Sequence, residues 1–238
     1  MAVIRDSILD ICLQATACGG REILLDLKAR EINMISQFPA CIVYRDGDVT
    51  NKAVDGPTLY SRILVRLEHL QNLFFIERLL AKEGRAPDSQ MLEISMELVS
   101  LTLIFWTHQG RLHGLHSCHD WLVVSYAAPA GGVLCLELLK ASAPRAASPT
   151  VTRSNMIQQL SLLVGFLDWV GPSAPNSDIC QSVKRVVRHV LDQTLNPAAD
   201  QAGAAEGLGF SADMNEFFSF DLLDTFDWLR PESASWAA

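Results

Sequence analysis

His119-Asp120-Trp121-Leu-Val-Val-Ser-Tyr-Ala-Ala-Pro129-Ala-Gly131-Gly132-Val-Leu-Cys-Leu-Glu137-Leu-Leu-Lys140 is the stretch around which the fold must be arranged. No charged residue occurs from Trp121 to Leu136, so other parts of the chain have to cover it. Asp120 opens the stretch, Glu137 and Lys140 close it, and Pro129 and the Gly131-Gly132 pair interrupt it. A membrane span asks for about 20 predominantly apolar residues, and this run is shorter and broken. The expectation is two buried helical pieces. Asp120 would cap the first by accepting from its unpaired N–H groups, and the proline and glycines would kink or divide it from the second.

Outward from this centre the periodicity stays helical. Upstream, residues 3–17 place Ile4, Ile8, Ile11, Cys12 and Ala15 on one face and stop at Gly19-Gly20. Residues 21–37 repeat the pattern with Ile23, Leu24, Leu27, Ile32 and Ile35, then end at Pro39. Cys41 to Tyr44 reads as a short extended piece, and Arg45 to Pro57 as a polar loop. Thr58 reads as the N-cap of a long helix to Glu83 with the stripe Ile63, Leu67, Leu70, Leu73, Phe74 and Leu80. A further helix is expected over 89–109, carrying Leu92, Met96, Val99, Leu103 and Trp106.

Downstream, a Pro/Ala/Ser-rich linker from Ser142 to Thr152 precedes two amphipathic helices over 153–170 and 177–195. The last would bury Ile179, Val183, Val186, Val190 and Leu191 and turn Lys184, Arg185 and Arg188 to water. No stretch sustains the period of two that a sheet needs. The expected class is all-α, an irregular bundle of about eight helices over residues 1–197, followed by a partly disordered acidic tail over 198–238.

That tail has its own chemistry. It holds eight acidic side chains against one base, Arg230, so it carries −7 of the chain's net −8. The remainder is therefore close to neutral, and the net charge of −8 argues against unaided binding to DNA phosphates. Seven of the 18 aromatic residues also fall in the tail. Asn196 to Gly209 reads as an Ala/Gly-rich linker. Beyond it come Phe217, Phe218 and Phe220, then Leu222 and Leu223, then Phe226, Trp228 and Leu229. Leu222, Phe226 and Leu229 share one face of a short helix, while Asp221, Asp224 and Asp227 keep the segment soluble by mutual repulsion. Acidic and hydrophobic residues mixed in this way characterise segments that fold into a partner's groove. The other use of such a segment is to dock on its own helical domain, and the two uses can alternate.

Other chemistries find little support in the residues. His113, His116, Cys118 and His119 crowd four donors into seven residues with no second pair nearby, unlike the spaced ligand pairs of zinc sites; a polar loop is the expectation. The chain lacks Gly-x-Gly-x-x-Gly, P-loop, Gly-x-Ser-x-Gly and His-Glu-x-x-His motifs. Glu77 and Glu97 are single acids on apolar helices, expected to be paired or solvated, and no enzymatic activity is expected. The six scattered cysteines read as reduced core thiols of an intracellular protein, and no signal peptide is expected at the N-terminus.

One resemblance gathers these readings. The Asp120-Trp121 helix start, followed by Pro129-Ala-Gly131-Gly132-Val-Leu134 and Glu137-Leu138-Leu139, resembles the regulatory region of fungal zinc-cluster transcription factors. That is the helical part C-terminal to their DNA-binding zinc cluster. The resemblance runs from about residue 58 to the end of the chain, and members of that family often finish in a similar acidic segment. It implies a nuclear regulator of RNA polymerase II transcription. The partners it implies are a coactivator or the transcription machinery, a small-molecule inducer and a second subunit, with no membrane. No Cys-x2-Cys pair exists here, so zinc and DNA contact are expected only through a missing N-terminal cluster or a partner. A helical small-molecule-binding protein with no transcriptional role is the alternative.

Overall fold

The computed structural model describes residues 1–13, 20–82, 89–112, 114, 118–140 and 151–196. All regular elements among them are helical. They are α1 (Ala2–Leu13), α2 (Gly20–Ser36), α3 (Gly56–Lys82), α4 (Ser89–Thr107), α5 (Gln109–Leu112), α6 (Asp120–Leu139), α7 (Arg153–Val170) and α8 (Ser177–Leu195). A single 3-10 turn, Asp46–Val49, interrupts the loop between α2 and α3. The all-α class expected from the periodicity is the class observed. The chain divides into two compact units, Met1–His119 and Asp120–Ala238, and the division falls at the head of the stretch quoted above.

In the first unit α3 is the central element, with α1, α2, α4 and α5 all packed against it. Its whole expected stripe, from Ile63 to Leu80, is buried, and Phe75 and Ile76 are buried as well. From Gln71 to Glu77 the helix is buried on every side, and each apolar side chain so enclosed contributes about 1.5–3 kcal/mol on full burial. The cap differs from expectation. The helix begins at Gly56, and Asp55 rather than Thr58 serves its N-terminus, accepting from the Thr58 N–H at 2.7 Å. Hydrogen bonds from the Thr58 side chain and then its backbone hold the Asp55 carboxyl below its usual range. On α4, the buried hydroxyls of Ser95 and Thr102 donate back to the carbonyls of Met91 and Leu98, so burial leaves neither donor unmatched.

Other local expectations also fail in this unit. Helix α2 buries Leu24, Leu27 and Glu31, leaving Ile23 and Ile32 on the outside. Apolar residues stand on both sides of the true face, so composition could not choose between registers. Cys41 to Tyr44 is a turn rather than an extended piece, with the Ile42 N–H donating to the Pro39 carbonyl at 3.0 Å. No neighbouring strand exists among the described residues to pair an extended segment. The loop that follows is organised by arginines. Arg111 donates to the carbonyls of Asp48, Val49, Asn51 and Val54. Arg62 bridges the Asp48 carboxylate at 3.0 Å and the Cys41 carbonyl at 2.9 Å. Loop carbonyls must find donors somewhere, and here two guanidinium groups supply donors to five of them.

The second unit packs α6, α7 and α8 against one another. The quoted stretch is one continuous helix of 20 residues, not two pieces. Its discontinuity is absorbed internally by a π turn at Val123–Ala127, where the Ala128 N–H reaches the Val123 carbonyl. A proline ring in an α-helix collides with the carbonyl four residues back and removes one donor. A wider turn just upstream accommodates Pro129 without breaking the rod. Among the described residues α6 alone is long and apolar enough to cross a membrane by length and composition; 61% of that window is buried inside the protein, as in a core helix.

Small residues let α6 approach its neighbour. A methyl group on Gly131 would lie 3.1 Å from Leu163 Cδ2, so the Leu163 side chain would have to yield to any side chain placed here. Helix α7 starts at Thr152, whose hydroxyl accepts from the Asn155 N–H at 3.1 Å. It ends at Gly171, with φ 80 and ψ 163. That backbone region is nearly exclusive to glycine. Gly171→Ala is therefore expected to destabilise the unit by about 1–3 kcal/mol, read as a lower urea midpoint at unchanged slope. Helix α8 buries Cys180, Val183, Val187, Val190 and Leu191. The expected face had Ile179 and Val186 in place of Cys180 and Val187. Both sets have helical spacing, and adjacent apolar pairs concealed which one faces inward.

Candidate functional site

The tail residues named from the sequence, Phe217, Phe218, Phe220, Asp221, Leu222, Leu223, Asp224, Phe226, Asp227, Trp228 and Leu229, lie outside the described residues. The motif residues of α6 are described, and they divide by role. Pro129, Gly131, Leu134 and Leu138 are buried; Trp121, Gly132 and Glu137 are half-buried; Leu139, expected in the core, is 38% exposed. Trp121 meets the Tyr126 ring edge-on at 6.0 Å. Glu137 pairs with Lys140 at 2.6 Å, and Arg153 Nη1 donates to the Leu138 carbonyl at 3.0 Å, satisfying the C-terminal end of α6.

Asp120, expected to cap its own helix, is bonded instead to the residue that precedes α8. It is the first residue of α6, almost wholly buried, and its Oδ2 accepts from the Asn176 backbone N–H at 3.0 Å and from Asn176 Nδ2 at 2.6 Å. Asn176 immediately precedes α8. One carboxylate thus joins the beginnings of two helices, where the N-terminal ends of both dipoles favour negative charge.

Sequence reasoning missed a dense polar cluster among the described residues, which lies inside the first unit. Glu31 of α2 is fully buried. Its Oε1 lies 3.0 Å from His69 Nδ1, and its Oε2 accepts from Asn72 Nδ2 at 3.3 Å. Asn72 Oδ1 in turn accepts from Arg5 Nε at 2.9 Å, and Arg5 bridges Glu68 at 3.0 Å. The network ties α1 and α2 to α3. A second link runs from Lys28 to Glu77, with Lys28 also donating to Gln90 Oε1 at 2.8 Å. The available signal was weak: Glu31 follows Leu24 and Leu27 at helical spacing, and His69 and Asn72 sit within the apolar run of α3. A network this enclosed suits orientation of helices more than contact with a ligand.

Glu77 and Glu97, the two acids weighed as catalytic candidates, are both paired. Lys28 meets Glu77, and Arg66 grips Glu97 with two bonds at 2.6 and 2.8 Å. Of the histidine-rich segment, His113 and His116 lie outside the described residues. Cys118 and His119 are half-buried, and His119 stands 6.0 Å from the Phe105 ring. Among the described residues no group of three or more His, Cys, Asp or Glu could hold a metal ion. The cysteines do not form one class. Cys135 and Cys180 are buried, and burial pushes the Cys135 thiol up to about 12, whereas Cys41 is exposed rather than part of the core.

Tyr44 carries the clearest pH signature. Partial burial pushes its phenol up to about 12, and repulsion of the phenolate by Asp46, Asp48 and Glu97 adds to the effect. The folded chain therefore holds this proton where an unfolded tyrosine, with pKa near 10, releases it. The stability so contributed is complete below the unfolded value and declines as pH rises towards the folded one. In an ultraviolet titration, the wild-type phenolate signal minus that of Tyr44→Phe is expected to rise near pH 12. A step at the ordinary tyrosine value would contradict this environment.

Fold and geometry define a two-unit all-α protein whose buried polar groups serve helix placement. Compared with models of known families, with curated proteins and with solved structures, the chain finds no match.

Proposed function

We propose that this chain is a transcription regulator, the regulatory and activating part of an RNA polymerase II factor of the zinc-cluster type, acting in the nucleus. The observation that carries the reading is the composition of the tail: eight acids and seven aromatics within 198–238, with Leu222, Phe226 and Leu229 at the i, i+4, i+7 spacing that would share a face if the segment became helical. An acidic segment with aromatic residues at helical spacing can reach a coactivator's groove and fold there. The α6 sequence from Asp120 to Leu139 supports the same reading through its resemblance to the helical regulatory region. DNA contact would come from a zinc cluster outside this sequence or from a partner subunit. The helical part would restrain the tail, and an inducer or partner would shift the balance by binding one state more tightly than the other.

Residues 198–238, and separately the whole chain, are to be fused to an unrelated DNA-binding domain and assayed on a reporter. The tail is expected to activate, the whole chain to activate less, and Phe226→Ala with Leu229→Ala to abolish activation by the tail. Silence of both fusions would remove the functional basis of the proposal.

A further inference from the structure

We draw no further inference here: the strongest candidate, the exposed apolar strip of Leu25, Ala29 and Ile32 along α2, is an unpartnered helix face, and nothing in the structure shows what covers it.

Discussion

Glu31→Ala is expected to destabilise the first unit by about 3 kcal/mol, the scale of buried donors left without their acceptor. The substitution removes the acceptor of both His69 Nδ1 and Asn72 Nδ2 in a place that water does not reach. A donor left unmatched in the interior costs more than its hydrogen bond was worth, because its hydration has already been given up. Glu31→Gln should cost less, since the amide keeps the shape and one accepting oxygen. The informative comparison is the double variant Glu31→Met with His69→Leu. It removes both members of the pair and fills their space with apolar atoms, so it should be more stable than Glu31→Ala alone. Denaturant unfolding of the four chains, with hydrogen exchange along α2 and α3, decides the matter. A double variant as unstable as the single one would mean that packing volume or the Asn72 donor, not the unmatched His69 donor, sets the cost.

The same network shows what the sequence could and could not convey. Helix number and class were legible because α3, α7 and α8 carry unbroken apolar periodicity between clear punctuation: Pro57, Thr152, Gly171 and Asn196 bound them closely. The inward face was less legible where apolar residues adjoin, as at Ile179-Cys180 and Val186-Val187. There, two registers bury nearly equal area, and only the neighbouring helices choose between them. The π turn was hidden for a related reason. Pro129 and two glycines suggest a break, yet a single widened turn keeps the rod intact when flanking helices reward continuity. The buried polar cluster was the least legible feature, because its members come from three helices. Glu31, His69, Asn72 and Arg5 look like ordinary surface residues until the helices meet.

Asp120→Ala is expected to cost the second unit about 2–4 kcal/mol, since it leaves the Asn176 N–H and side-chain amide without their shared acceptor. The loss should appear first as faster hydrogen exchange at the starts of α6 and α8, the two segments that the carboxylate joins. Asn176→Asp alone should be worse than a simple loss, because it brings a second carboxylate to within hydrogen-bonding distance of the first. Exchanging the two residues, Asp120→Asn with Asn176→Asp, discriminates between the contributions. The exchanged pair can remake the side-chain bond with donor and acceptor reversed. The negative charge then sits at the N-cap of α8, where a carboxylate is as welcome as an asparagine. What the exchange cannot restore is the bond from the residue 176 backbone N–H, because the carboxylate that accepted it has become an amide already engaged as a donor. About half of the stability lost in Asp120→Ala should therefore return, on the scale of one net hydrogen bond to a charged group. Full recovery would show that the side-chain bond alone holds the two helix starts together. No recovery would assign that role to the backbone N–H and to the position of the charge on α6.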